Sequence, residues 1–127
     1  MNSALRSGIY YLGKTVTGLD TTNFFYGDAK HSQQSSYCIF YGIDNPFDFD
    51  SGSQFEVDHV QFSFFGTVLS TLETLAENFQ AVFDFGTLTV SGYSFIGMKR
   101  TLSLPARKTD KVWQIILEYE IETQKSR

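Results

Sequence analysis

The sequence predicts an α+β domain in which an antiparallel or mixed sheet of about four to five strands carries a short N-terminal helix and one long helix on one face. The length of 127 residues suits a single domain with one core, spanning residues 1–127. Apolar residues make up 42% of the chain and charged residues 19%, which is enough apolar material for a core. Periodic segments follow in the order helix, long loop, two strands, long helix and three strands.

The N-terminal segment is predicted to form a short helix. Leu5, Ile9 and Leu12 recur at helical spacing, and Asn2 before them can accept hydrogen bonds from free backbone amides. Residues 15–36 are rich in Thr, Gly, Asp, Ser and Gln, and they are predicted to form a long ordered loop interrupted by one apolar triplet. Loops of this length often carry function, because they become ordered against a partner.

Two strands are predicted between this loop and the long helix. The first is the apolar run 37–43, which ends at turn-forming residues. The second is 55–65, in which Val60, Phe62 and Phe64 alternate to form one apolar face. These two segments are expected to lie in the same sheet.

The long helix is predicted at about residues 68–83. Its apolar positions step by four and three residues, as the buried stripe of a helix does: Val68, Leu72, Leu75, Phe79 and Val82. Thr67 or Ser70 is expected to cap its start, and residues 84–86 are expected to end it.

Three strands are predicted after the long helix. Residues 88–90 and 93–102 are expected to pair as antiparallel strands across a tight turn at 91–92. The last strand, 112–122, alternates apolar side chains on one face with acidic side chains on the other. Residues 104–111 are expected to form a polar, basic hairpin tip that leads into this last strand.

The charge distribution argues against sequence-specific nucleic-acid binding. The formal net charge is −4, and Lys30 is the only Lys or Arg between Thr15 and Met98. The later basic residues form a short positive segment: Lys99, Arg100, Arg107, Lys108 and Lys111. Aromatic residues make up 17% of the chain, more than a small domain is expected to bury, so some are expected at protein contacts.

The sequence contains no complete catalytic or metal-binding motif, so no enzyme activity is predicted. The pattern around Ser94 resembles a nucleophile elbow, but Ile96 stands where the second glycine is required. The acidic turn with Asp48 and Asp50 lacks the spacing of a calcium-binding loop. It leaves open a looser cation site that also uses Asp44.

Cofactor binding and a membrane span are not expected either. Cys38 is the only cysteine, which excludes a zinc site built on several thiolates and suits a reducing compartment. No glycine-rich phosphate-binding loop is present. No stretch approaches the roughly eighteen apolar residues that a transmembrane helix needs.

The order of these elements resembles that of the tail terminator, or tail completion, proteins of long-tailed bacteriophages. The resemblance lies in an aromatic-rich strand at 36–41, a strand at 57–65 that runs directly into a helix at 69–83, and a closing strand pair at 95–102 and 112–122. It covers nearly the whole chain, and it is a resemblance of layout and hydrophobic pattern.

The resemblance implies a structural virion protein without enzyme activity. Such a protein forms a ring, here expected to be a homohexamer, on the head-proximal end of the tail tube. There it ends tube growth and provides the surface for head–tail joining. Its partners would be copies of itself, the tail tube protein and a head–tail connector or neck protein, with DNA passing through the lumen without specific binding. It would be made in the host cytoplasm and act in the virion, without a membrane.

The resemblance also suggests which residues make these contacts. Phe47 and Phe49 would anchor a neighbouring subunit, and Arg107 and Lys108 would dock on an acidic rim of the next ring. Three glutamates that share one strand face would line the lumen and repel DNA: Glu118, Glu120 and Glu122.

Two alternative functions stay open at this point. The first is another neck or head–tail connector ring protein, which would be similarly small. The second belongs to a different class: a small ligand-binding or enzymatic α+β domain that uses the uncovered sheet face as the floor of a pocket.

Overall fold

The computed structural model describes residues 1–28, 36–44 and 55–125. In chain order the elements are α1 (Ser3–Gly13), β1 (Phe24–Tyr26), β2 (Ser36–Asp44), β3 (Phe55–Gly66), α2 (Leu69–Phe83), β4 (Tyr93–Thr109) and β5 (Val112–Lys125). The strands form one five-stranded sheet in the order β1-β2-β3-β5-β4. The pair β1 and β2 is parallel, and the other three pairs are antiparallel. The predicted α+β class is confirmed, and the sheet is mixed.

The hydrophobic core lies between the helices and one face of the sheet. Phe62 of β3 lies at its centre, where its ring contacts the rings of Phe79 and Phe83 from α2 and of Tyr119 from β5. All four side chains are fully buried. The predicted apolar face of β3 is therefore confirmed. It packs against aromatic rings of α2 and β5.

Helix α1 begins at its predicted cap and lies very close to its neighbours. The Asn2 Oδ1 atom accepts a hydrogen bond of 2.7 Å from the backbone amide three residues later. A Cβ atom at Gly8 would lie 2.7 Å from the carbonyl oxygen of Thr89, and one at Gly13 would lie 2.1 Å from the ring of Phe24. These two glycines therefore allow α1 to pack directly on β1 and on the segment that follows α2.

Helix α2 has the predicted range, but the prediction of its cap is wrong. Val68 is the N-cap residue, and no side chain bonds to the first amides, so neither Thr67 nor Ser70 caps the helix. The end at Asp84 is as predicted. Its buried residues form one stripe: Leu72, Leu75, Ala76, Phe79 and Phe83. Packing of this stripe stabilises the helix without a side-chain cap.

The segment predicted to be a long loop contains strand β1. Phe24 lies opposite Cys38 in parallel register with β2. Asn23 stabilises this pairing through two hydrogen bonds. Its side-chain amide donates to the Gly18 carbonyl at 2.8 Å, and its backbone carbonyl accepts from the Cys38 backbone amide at 2.8 Å. A strand of three residues is too short for an alternating pattern to be recognised in the sequence.

The prediction of a strand at residues 88–90 is wrong. This segment pairs with no strand in the described part of the chain. Leu88 and Val90 are buried in the core, while Thr89 between them is exposed. The alternation that suggested a strand therefore comes from packing beside α1, and not from pairing in the sheet.

The hairpin between β4 and β5 has a much shorter tip than predicted. Strand pairing continues to Thr109 and Val112, so the turn consists of Asp110 and Lys111. Asp110 adopts a positive φ of 56°, a conformation that Asp tolerates better than most residues. Residues 104–109 consequently belong to the sheet.

Candidate assembly interface

The second face of the sheet is covered by no described helix, and we call it the free face. Both helices pack on the core face, while the alternate side chains of each strand point to the free face. Its members come from four strands: Tyr37, Ile39, Tyr41 and Asp44 of β2; His59, Gln61, Ser63 and Phe65 of β3; Lys99, Leu102, Leu104 and Arg107 of β4; and Gln114, Ile116, Glu118, Glu120 and Glu122 of β5. Most of them are half-buried or exposed.

One half of the free face is apolar. Tyr37 of β2 stacks on Phe65 of β3 with ring centroids 5.2 Å apart. Ile39, Ile116 and Leu104 lie in the next row across the sheet, in which the buried Ser63 is the one polar side chain. Contiguous apolar side chains on a surface are typical of a protein contact.

The other half of the free face is charged. Asp44, His59, Glu120 and Lys99 form one row across four strands. The His59 Nδ1 atom is hydrogen-bonded to Asp44 Oδ1, and the Lys99 Nζ atom lies 3.5 Å from Glu120 Oε2. The acidic side chains of Asp44 and Glu120 therefore alternate along this row with His59 and Lys99.

The three predicted lumen residues all lie on the free face, at alternate positions of β5. Glu118 lies between Gln61 of β3 and Leu102 of β4. Glu120 is paired with Lys99, as above, whereas Glu118 and Glu122 form no ion pair with a described residue. That these residues line a lumen stays a prediction.

Arg107 and Lys108, which were predicted to lie together on a docking tip, are neighbours in β4 and point to opposite faces of the sheet. Arg107 is opposite Gln114 on the free face. Lys108 is opposite Trp113, and its Nζ atom lies 5.6 Å from the centroid of the Trp113 ring. A partner that lies on one face can contact only one of these two cations.

The predicted aromatic anchors, Phe47 and Phe49, lie outside the described residues. The same holds for Asp48 and Asp50 of the looser cation site. Both predictions therefore stay open. Asp44, the third ligand suggested for that site, is bonded to His59.

A second distinctive surface, which sequence reasoning missed, lies where α1 meets β1. The Arg6 guanidinium lies 4.7 Å from the ring centroid of Tyr26. The Lys14 Nζ atom lies 5.1 Å from the ring of Tyr10 and 4.8 Å from the ring of Tyr11. We call these five residues the tyrosine–cation surface. The available signal was the spacing of Arg6, Tyr10 and Lys14 by four residues, but α1 was interpreted only by its buried stripe.

A polar network connects α2 to the strand pair β4 and β5. The Tyr119 hydroxyl donates a hydrogen bond of 2.5 Å to Asp84 Oδ1, and the Arg100 Nη2 atom lies 3.2 Å from Asp84 Oδ2. Arg100 also donates to Gln80 Oε1 at 2.9 Å and to Ser103 Oγ at 2.7 Å. Burial, and then the hydrogen bond to Asp84, raise the pKa of the Tyr119 phenol far above its usual range. In the sequence Asp84 was interpreted only as a helix end.

The described residues do not assemble a recognisable catalytic or metal centre. Asp44 and His59 form a pair, but Ser63 on the same strand face lies four residues from His59, about 13 Å along the strand. That distance is too long for direct proton transfer from a serine to a histidine. Within residues 1–28, 36–44 and 55–125, no three or more His, Cys, Asp and Glu side chains are grouped to bind a metal ion.

None of the helices that the structure describes is long and apolar enough to cross a membrane. The fold and its surfaces define a class of protein: a small α+β domain with a buried aromatic core on one sheet face and an open, partly apolar and partly charged face on the other.

The same fold occurs in solved structures. One match is a chain of the structure described as "Virion of native gene transfer agent (GTA) particle", with a TM-score of 0.75 and 13% sequence identity. The match covers 97% of this chain and 99% of that chain. At this identity the likeness shows a shared fold. No protein-family profile and no curated protein sequence matches the chain.

Proposed function

We propose that the protein is a structural subunit of a phage-like virion, and that it forms a ring on the head-proximal end of the tail tube. There it ends tube growth and provides the surface for head–tail joining. The observation that carries this proposal is the free face, which joins an apolar half to a charged half and is left uncovered by the described helices. A surface of this kind on a small domain is typical of a contact between proteins.

The shared fold supports the same proposal. The matched chain belongs to a virion particle and is covered almost completely, so this chain has the same architecture as a subunit that works within an assembly. In addition, the order of the elements resembles that of tail terminator proteins. Function would then depend on interfaces between subunits, and no enzyme activity is proposed.

The proposed partners are copies of the same chain, the tail tube protein and a head–tail connector or neck protein. DNA would pass through the lumen of the ring, which we propose to be a hexamer. The net charge of −4 disfavours specific binding of DNA phosphates. The protein would be made in the host cytoplasm and become part of the virion.

Light scattering on the purified protein, alone and mixed with tail tubes, tests this function. We expect either a closed ring of about six times the chain mass of 14.4 kDa, or a monomer that assembles only on tube ends. Tubes capped by the protein should also stop growing when more tube protein is added. A monomer at all concentrations that leaves tube growth unchanged would overturn the proposal.

A second candidate is another ring protein of the neck. It is supported by the same shared fold, because a virion particle contains more than one kind of subunit and the likeness is to one chain of it. Particle images with the labelled protein separate the two candidates. Density at the end of the tail tube supports the terminator, and density against the portal supports a neck connector.

A further inference from the structure

We propose that neighbouring copies meet head to tail, with the tyrosine–cation surface of one copy docked on the part of the free face of the next that contains Glu118, Glu120 and Glu122. This inference rests on the proposed ring function, and it specifies the contact that would close the ring. The occupant of the free face is thus a second copy of this chain.

The two surfaces lie on opposite sides of the molecule. Helix α1 packs on the core face of the sheet, with Leu5 and Ile9 buried in the core cluster, and Arg6 lies over the ring of Tyr26 of the edge strand β1. The tyrosine–cation surface therefore lies on the helix side of the sheet, where α1 meets β1. The free face is the other side of the same sheet. A contact between two different surfaces on opposite sides is heterologous, and repetition of such a contact generates a ring when the rotation closes.

The charges of the two surfaces are complementary. Arg6 and Lys14 are cationic, α1 contains no acidic residue, and neither cation forms an ion pair with a described residue. On the free face, Glu118 and Glu122 are likewise without an ion pair among the described residues, whereas Glu120 between them is already paired with Lys99. Each surface therefore offers two charged groups whose partners can come from the other surface.

The spacing of these groups also agrees. Arg6 and Lys14 are eight residues apart on a helix, which corresponds to about 12 Å at 1.5 Å per residue. Glu118 and Glu122 are four residues apart on a strand, which corresponds to about 13 Å at 3.3 Å per residue. If α1 of one copy lies along β5 of the next, each of the two cations can therefore contact one of these two glutamates at the same time.

Aromatic and aliphatic side chains surround the charges on both sides. Tyr11 of α1 is 69% exposed, and the rings of Tyr10 and Tyr11 hold the Lys14 ammonium in place. On the free face, Tyr41 and Leu102 lie in the same row as Glu118 and are 38% and 37% exposed. Contact of these groups would remove water from the ion pairs, which is the arrangement that gives charged contacts their largest effect.

The test is a charge exchange between the two surfaces. The first variant is Arg6→Glu with Lys14→Glu, and the second is Glu118→Lys with Glu122→Lys. Each variant alone places like charges on both surfaces, so we expect at least a roughly tenfold rise in the concentration at which half of the protein is assembled. In a 1:1 mixture every contact again joins opposite charges, so assemblies containing equal amounts of both chains should return.

The matched control is Glu73→Lys with Glu77→Lys, which makes the same charge change on exposed positions of α2. It should assemble as the unmodified chain does. Thermal melts followed by circular dichroism establish that each variant is folded. Should a charge-reversed variant fail to fold, Arg6→Gln with Lys14→Gln and Glu118→Gln with Glu122→Gln replace the pair, and each should weaken assembly and reduce its dependence on salt.

Two results would overturn the inference. Unchanged assembly of the Glu118 and Glu122 variant would mean that these glutamates face solvent or the lumen, as the resemblance to tail terminators suggested. Loss of assembly in both variants without recovery in the mixture would mean that the two surfaces do not meet. Failure of the ring itself is a separate outcome, because it would be seen in the unmodified chain.

Discussion

The two faces of the sheet use the same strands for different purposes. On the core face, Phe62 and Tyr119 are fully buried and pack against α2. One residue away on the same two strands, Gln61 and Glu118 are half-buried side chains of the free face. The period of two in a strand thus separates the residues of the core from those of the proposed assembly surface, because adjacent residues contribute to opposite sides of the sheet. Substitutions at neighbouring positions should therefore have very different effects.

The largest expected effect is that of Phe62→Ala on the core face. Removal of this ring leaves a cavity between β3 and α2, and we expect a loss of about 3–5 kcal/mol in the free energy of unfolding. The matched variant Phe65→Ala on the free face should lose only about 1 kcal/mol, because the ring is half-buried and water can fill its place. Denaturant unfolding of monomeric protein measures both. Equal losses would contradict the division between the two faces.

The next effect comes from the polar network that connects α2 to the strands. The variant Tyr119→Phe removes the donor of the 2.5 Å hydrogen bond to Asp84, and we expect a loss of about 2 kcal/mol in unfolding free energy. Its counterpart on the free face is Tyr41→Phe, which removes a hydroxyl that accepts a hydrogen bond of 2.6 Å from Gln61. Because Tyr41 is exposed, that loss should stay within about 0.5 kcal/mol. A larger loss for Tyr41→Phe than for Tyr119→Phe would reverse the comparison.

The same network predicts a difference at alkaline pH. Burial and the hydrogen bond to Asp84 raise the pKa of Tyr119 above the ordinary value of 10.0. A group whose pKa is raised by folding stabilises the protein below its unfolded pKa, and this contribution is lost as the pH rises above it. We therefore expect the unfolding free energy to fall above pH 10 by up to about 1.4 kcal/mol per pH unit more steeply than in Tyr119→Phe. Parallel curves for the two proteins would contradict this assignment.

The core face was far easier to predict from the sequence than the free face. Alternation in β3 and β5 and the stripe of α2 identify buried residues directly, because burial selects side chains at a fixed period. Strand β1 was missed because its three residues are too few to show a period, and residues 88–90 were assigned to the sheet although their alternation reflects packing beside α1.

The surfaces were only partly predictable, because a sequence pattern does not reveal which strands are neighbours. The glutamates of β5 were correctly expected on one face, but the ion pair of Glu120 with Lys99 depends on β4 lying beside β5. The network of Asp84, Arg100 and Tyr119 joins residues up to 35 positions apart, so no local sequence pattern predicts it.

A small effect is also expected from breaking the ion pair between Lys99 and Glu120 on the free face. The Nζ and Oε2 atoms are 3.5 Å apart, but the Lys99 side chain is 72% exposed, so solvent screens the attraction and the side chain loses rotamer freedom to form it. We expect Glu120→Gln to change the unfolding free energy by less than about 1 kcal/mol, and Lys99→Gln to do the same.

Denaturant unfolding at low and high salt measures both variants. The control is Arg100→Gln on the core side of β4, because Arg100 forms an ion pair with Asp84 and a hydrogen bond with Gln80. If the free face serves assembly rather than stability, only the control should destabilise the monomer clearly. A loss for Glu120→Gln as large as that for Arg100→Gln would mean that the charged row stabilises the sheet itself.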